Sequence, residues 1–185
     1  MLAGVKVAVF VAGSAGLVLV SRGSLRRVGS HGFFRFFAWE AMLALLLLNV
    51  DHWFRDPFGL RQIISWLCLC VSLFLVIHGV RLLGTVGRPD ERRADASLLG
   101  LERTTTLVTV GAYRYIRHPL YSSLLFLTWG ALLKSPSWAA VGLAAVATGL
   151  LTATARAEEA ENVRYFGAAY CEYMGRTKMF IPFVL

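Results

Sequence analysis

Acidic residues are scarce in this chain. Eleven Asp and Glu stand against nineteen Lys and Arg in 185 residues, and charged residues of both signs make up only 16%. Soluble domains carry about 25%, so a fully water-wetted surface is a poor fit from the start. Cysteine is equally thin. Of the three, Cys68 and Cys70 lie in one apolar run at a spacing that puts them on different sides of a helix, and Cys171 stands alone. There is no CxxC and no Cys/His ligand spacing, which excludes a zinc module or a thiol redox pair. All three read as packing residues. The formal charge of +8 invites nucleic acid as a partner, but the basic residues sit between hydrophobic blocks instead of along one face. Charge placed that way sets membrane orientation.

Hydrophobic residues are what the chain has in quantity. They form 57% of it, with a mean hydropathy of +0.61, and they come in blocks. A bilayer core of ~30 Å takes roughly 20 apolar residues as a helix. Five blocks qualify or nearly do: about Leu2–Val20, Phe33–Trp53, Ile63–Leu83, Tyr121–Leu133 (short) and Ser137–Ala155. The last two are separated only by "KSPS", a tight turn that predicts an antiparallel pair. The first block is not a cleaved leader, because Arg22, Arg26 and Arg27 follow its apolar run instead of preceding it. Gly13 and Gly16, with Ala12 and Ala15, suit close helix packing. The expected fold is all-α, an integral membrane protein of five transmembrane helices with a cytoplasmic C-terminal helix. The length suits one domain over 1–185, with three spans in 1–83.

Alternating sides through five spans puts fifteen of the nineteen basic residues on one face. Only Lys6, Arg55, Arg61 and Lys134 fall on the other. That asymmetry predicts an external N-terminus and a cytoplasmic C-terminus. The polar pieces 84–106 and 156–185 then share the cytoplasmic face with "TVGAYRYIRHPLYSSLLFL", which sets Tyr113, Tyr115, Tyr121, Arg114, Arg117 and His118 against a leucine run. The stretch is either an interfacial aromatic belt or the wall of a site. Pro119 biases His118 away from helical geometry and can itself open a helix, so the fourth span should start near Pro119 with His118 as its cap. A helix start offers backbone N–H groups to a carboxylate.

The C-terminal piece "RAEEAENVRYFGAAYCEYMGRTKMFIPFVL" predicts a helix over Arg156–Met174, with Glu159, Val163, Phe166 and Tyr170 along one stripe. Glu158, Glu159 and Glu161 suit a helix N-terminus if one begins there. If the fifth span runs on unbroken, they sit at the membrane–cytosol junction beside the His/Arg stretch, a place to hold a charged cofactor. Glu40, Asn49, Asp51 and His78 are polar groups at membrane depth, functional suspects by default, although Arg35 or Arg81 pairing with Glu40 is a structural alternative. His52 and Trp53 mark the outer interface.

Two segments, "LVTVGAYRYIRHPLY" (107–121) and "EEAENVRYFGAAYCEYMGR" (158–176), occur in order and are followed by Pro182. Together they resemble the integral-membrane isoprenylcysteine carboxyl methyltransferase and phospholipid methyltransferase family over roughly the last 80 residues. The resemblance implies a methyltransferase of the EC 2.1.1 class using S-adenosyl-L-methionine without a glycine-rich dinucleotide loop. It makes 84–185 a cofactor-binding half built from a helical hairpin, 120–155, and the C-terminal helix. It carries over Thr105, Thr106, Leu107, Val108, Tyr113, His118, Pro119, Leu120, Tyr121 and Glu158 as cofactor-binding positions, with His118, Glu159 and Arg156 as catalytic candidates and no metal. An aromatic-lined pocket suits a sulfonium, and Glu158 suits the donor's ammonium. The implied acceptor is a membrane-resident amphiphile, a lipid amine or a prenylated cysteine carboxylate, met from the cytoplasmic side of a multi-pass protein in a prokaryotic cell membrane; membrane lipids are the expected partners and nucleic acid is not. The chain departs from the family pattern at Thr105, commonly histidine, and at Thr154, where an acceptor-binding arginine is expected; the nearest arginine is Arg156. A sterol-type membrane reductase and a small non-enzymatic membrane protein are the competing readings.

Overall fold

Every apolar block is helical, as an apolar medium demands of a chain that must satisfy its own backbone groups. The computed structural model describes residues 2–90 and 104–183. Among the described residues six α-helices follow in order: α1 (Ala3–Leu25), α2 (His31–Asn49), α3 (Leu60–Thr85), α4 (Pro119–Lys134), α5 (Trp138–Phe166) and α6 (Ala168–Arg176). Tight 3-10 turns at Val50–His52 and Gly111–Arg114 complete them. Among the described residues there are no strands, only isolated bridges at Pro89–Thr104 and Ile116–Lys178. The starts carry local signals. The Ser30 hydroxyl accepts from Phe33 N to cap α2, and Ser137 accepts from Ala140 N to cap α5. Pro119 takes the first position of α4 behind His118, as its fixed φ allows.

Four helical segments among the described residues are long and apolar enough to cross a membrane by length and composition: α1, α2 with its 3-10 extension to His52, α3 and α5. The expected fourth span, α4, has 16 residues, about 24 Å at 1.5 Å per residue, and falls short of that standard. Cross-helix bonds show the directions. Lys6 at the start of α1 pairs with Asp51 at 2.8 Å, just past the end of α2, and Ser14 donates to Glu40 at 2.6 Å midway. Lys134 at the end of α4 donates to Gln62 at the start of α3, 3.1 Å away, and Ser65 donates to the Gly130 carbonyl at 2.7 Å. His31 at the start of α2 meets Glu161, late in α5, at 2.6 Å. Neighbouring helices in these pairs therefore run antiparallel.

Between apolar helices, close packing replaces the hydrophobic effect as the source of cohesion. In α5 the fully buried positions Ala140, Ala144, Ala147, Leu151 and Ala155 recur at helical spacing. They face Ala38, Ala41, Met42 and Leu45 of α2. Small side chains let the two backbones approach. Gly13 does the same for α1, since a Cβ there would stand 2.7 Å from Leu43 Cδ2, whereas Gly16 faces open space.

Several sequence expectations are revised. Of the two alternatives at Arg156 the structure has the second: α5 runs unbroken from Trp138 to Phe166, so Glu158, Glu159 and Glu161 lie within the helix and not at its start. The helix breaks instead at Gly167, whose φ of 60° lies in the left-handed region, and the expected single helix to Met174 is two pieces. Cys70 and Cys171 are exposed and Cys68 is only half-buried, so the cysteines are not core residues. Asn49 is structural, donating to the Ala131 carbonyl at 2.8 Å. Near that end of the bundle Trp53 packs edge-on against Trp66 with centroids 6.1 Å apart, and Lys134 Nζ lies 3.5 Å from the Trp66 ring centre, contacts compatible with the interfacial position expected of Trp53. Of the polar piece 84–106, residues 91–103 lie outside the described residues.

Candidate active site

The end of the bundle that holds His31 and Glu161 also holds a cleft of about 610 Å3, its open mouth included. Its construction begins at Gly111. This glycine has φ 59°, and a Cβ would stand 2.5 Å from His78 Nε2, so both the backbone and the space require glycine. His78, stacked on Phe74, accepts from Ala112 N at 3.3 Å and so pins the turn to α3. The turn sends Tyr113 inward, where it is buried and lines the cleft. Two residues on, Tyr115 points outward and is 48% exposed. The tyrosines of the opening stretch thus divide: Tyr113 and Tyr121 are cleft wall and Tyr115 is surface.

Residues 115–118 then lie beside 178–180, bridged at Ile116 and Lys178. Lys178 N donates to Tyr115 O at 3.0 Å, Arg117 N to Lys178 O at 2.7 Å, and His118 N to Met179 O at 3.2 Å. Ser122 Oγ ties Phe180 O at 2.8 Å, and Phe180 is buried in the main core. Tyr173 of α6 donates to Tyr113 O at 2.6 Å. The C-terminal segment is therefore a clasp over the start of α4. It takes up the His118 amide, so that N–H is not available to a ligand.

Two adjacent carboxylates have separate settings. Glu159 is buried; its Oε1 accepts from Arg117 Nε at 2.6 Å and lies 3.3 Å from His118 Nε2. Arg117 also donates to the carbonyls of Met174, at 3.3 Å, and Thr177, at 2.5 Å. Glu158 faces the cleft, accepting from the Tyr121 hydroxyl at 2.5 Å and, at 3.5 Å, from Asn162 Nδ2. His118 stacks on Tyr121 with ring centroids 5.4 Å apart. Phe166 stacks on Tyr170 at 6.4 Å across the Gly167 break. Burial pushes the phenols of Tyr170 and Tyr173 well above the usual tyrosine range, and the Glu158 charge adds to this at Tyr170. Both remain O–H donors at neutral pH.

Of the positions named from sequence, Leu107, Val108, Tyr113, His118, Leu120, Tyr121 and Glu158 line the cleft together. Thr105 and Thr106 do not: both are exposed and donate backbone N–H groups to Gly87 O at 3.0 and 3.1 Å, while the buried Thr104 lines the cleft instead. Pro119 is buried as the helix start, Glu159 sits behind His118, and Arg156 is exposed and away from the lining. Sequence reasoning placed Arg117 in the candidate site wall without a role and missed Thr104, Asn162 and Tyr173 as lining. Asn162 was findable, because Glu158, Asn162 and Phe166 recur at four-residue spacing on one helical face. The stripe from Glu159 is offset from it by one residue at Glu159 and Val163 and rejoins the cleft face at Phe166 and Tyr170. Among the described residues no group of three or more His, Cys, Asp or Glu side chains is arranged to hold a metal ion.

Among the described residues the fold is an all-helical bundle of membrane-type helices whose carboxylate, imidazole and aromatic groups converge on one cleft. The family model for phospholipid methyltransferases matches residues 60–169, more than half of the 185-residue chain. The chain belongs to the phospholipid methyltransferase family, and the match runs from α3 across the cleft to the Gly167 break. No curated protein and no solved structure matches it.

Proposed function

We propose that this protein transfers a methyl group from S-adenosyl-L-methionine to the amine headgroup of a membrane lipid, working from the cytoplasmic side. The observation that carries the reading is Glu158, held by Tyr121 among aromatic faces in one cleft. Such a donor set fits a cation-bearing ligand. A carboxylate pairs with an ammonium, and aromatic faces attract a sulfonium by ~0.5–2 kcal/mol each, depending on desolvation. Among the described residues the one guanidinium in the lining, Arg117, is committed to Glu159. When bound, S-adenosyl-L-methionine supplies an electrophilic methyl on sulfur.

The chain's own residues do the rest. Glu158 and Tyr121 hold the donor's ammonium end, and Tyr113, Phe166 and Tyr170 exclude water. Positioning of two reactants is the main contribution. An amine acceptor must lose a proton before its lone pair can attack, and His118, backed by Glu159, is the group that holds that proton. A carboxylate acceptor would need no base, and among the described residues the cleft offers it no uncommitted arginine. Thr154, where the family's acceptor arginine is expected, is fully buried and donates to Leu150 O; an arginine placed there would overpack α5, so engineering Thr154→Arg is no clean test of acceptor choice.

The test supplies methyl-labelled donor to the protein in lipid nanodiscs containing aminophospholipid, with a prenylated cysteine analogue added. Label is expected in the extracted aminophospholipid. Label in the analogue with unlabelled lipid would overturn the amine assignment. The short α4 brings the crossings to five in this reading, packed against α3, α5 and α2. The fifteen-to-four basic asymmetry then puts the cleft in the cytoplasm. A reporter fused after Leu185 is expected to read cytoplasmic, and an external signal would reverse the orientation.

A further inference from the structure

The cleft leaves one part of the opening stretch unused: the outward side of the clasp. Tyr115 is 48% exposed, and Phe183, 84% exposed, lies against it with ring centroids 6.2 Å apart. Val110 and Ile181 are exposed on the flanking residues of the same two segments. Exposed basic groups accompany them. Arg114 lies 5.9 Å from the Tyr115 ring centre, and Lys178, also exposed, is bridged to Ile116. The acid on the neighbouring helix, Glu172, is engaged with Arg176 at 3.5 Å.

We infer that this apolar and basic patch is a headgroup-layer anchor that binds anionic phospholipid beside the mouth of the cleft. Its place in the fold supports this. Tyr115 lies four residues before α4 begins and the clasp is bonded to that helix start, so the patch stands where the chain leaves the apolar layer. Aromatic side chains concentrate at that depth. A contiguous exposed apolar patch with a basic rim marks an interaction surface, and its sign of charge matches phosphate in an anionic leaflet. Apolar insertion combined with basic attraction gives stronger membrane binding than either signal alone. The anchor would fix the height of the cleft relative to the headgroups, independently of which acceptor is methylated.

The experiment uses the full chain with Cys68, Cys70 and Cys171 replaced by serine. Single cysteines are introduced by Phe183→Cys, Ile181→Cys or, as an aqueous control, Glu172→Cys, and each carries a nitroxide. In nanodiscs of phosphatidylcholine with phosphatidylglycerol, labels at 181 and 183 should show a several-fold higher ratio of oxygen to nickel-chelate accessibility than the label at 172. The ratio should fall in phosphatidylcholine alone, and adding Arg114→Gln and Lys178→Gln should remove that lipid dependence. Labels at 181 and 183 as aqueous as the control would overturn the anchor. Equal depth in both lipids would overturn its anionic selectivity. Burial seen only when two copies share a disc would make the patch a copy–copy interface and overturn the proposal.

Discussion

Glu158→Gln is expected to weaken S-adenosyl-L-methionine binding by roughly 10- to 150-fold, the cost of losing a hydrogen bond to a charged group, ~1.5–3 kcal/mol. The substitution keeps the shape of the side chain and leaves an amide oxygen to accept from Tyr121, so the local fold should persist. Glu158 is half-buried on the cleft-facing side of α5, and among the described residues it accepts from Tyr121 and Asn162 and pairs with no cation. Its charge is accordingly available to a ligand. Tyr121→Phe removes one donor to that carboxylate and should cost less, about 2- to 10-fold at ~0.5–1.5 kcal/mol. Equilibrium binding of labelled donor to nanodisc-held protein measures both. Unchanged affinity in Glu158→Gln with an intact melting temperature would remove this carboxylate from the donor site. A larger loss in Tyr121→Phe than in Glu158→Gln would shift the assignment to the stacked Tyr121–His118 pair.

How much of this site could be read without coordinates depended on the range of the forces involved. The helix starts at Ser30, Ser137 and Pro119 rest on neighbouring residues, and the structure has all three where local chemistry puts them. Apolar block lengths located the helices, and α4 was visibly short from its residue count. The break at Gly167 was harder. Helix-forming residues surround it, and only the backbone geometry distinguishes it from a tolerated glycine within a helix. The clasp was invisible for another reason: residues 115–118 and 178–180 meet through backbone hydrogen bonds across about sixty positions, and such bonds carry no side-chain pattern. Arg117 looked like an interfacial cation because its partners are two carbonyls of the clasp and a carboxylate forty-two residues away. Thr105 and Thr104 illustrate the limit at single-residue scale, since adjacent positions on a turn point in opposite directions and nothing local says which one faces the cleft.

The buried Arg117–Glu159 pair should separate structural support from chemistry. Both side chains are about nine-tenths buried, at 10% exposure each, and the guanidinium also satisfies two carbonyls. Removing one partner of such a pair leaves a buried charge uncompensated and costs ~3–5 kcal/mol. Arg117→Met is therefore expected to lower the melting temperature of the solubilised protein by on the order of 10 °C. Glu159→Leu should do the same, because Arg117 then keeps its carbonyls but loses its counter-charge. The double variant should be less damaged than the two single losses added together, by at least about 1 kcal/mol, since contacting groups do not behave independently. Glu159→Gln is the informative conservative change. It retains an oxygen 2.6 Å from Arg117 Nε and near His118, so the clasp and cleft should largely hold, with donor affinity close to the parent's. Turnover should fall if the carboxylate steadies a protonated His118 during amine methylation, and the fall should shrink as pH rises and more of the acceptor arrives already neutral. A turnover loss that is flat with pH would exclude that role and leave Glu159 as a positioning residue alone. Loss of donor binding in Glu159→Gln, equal to that in Glu158→Gln, would instead place both carboxylates on the donor and undo the division between the two faces of α5.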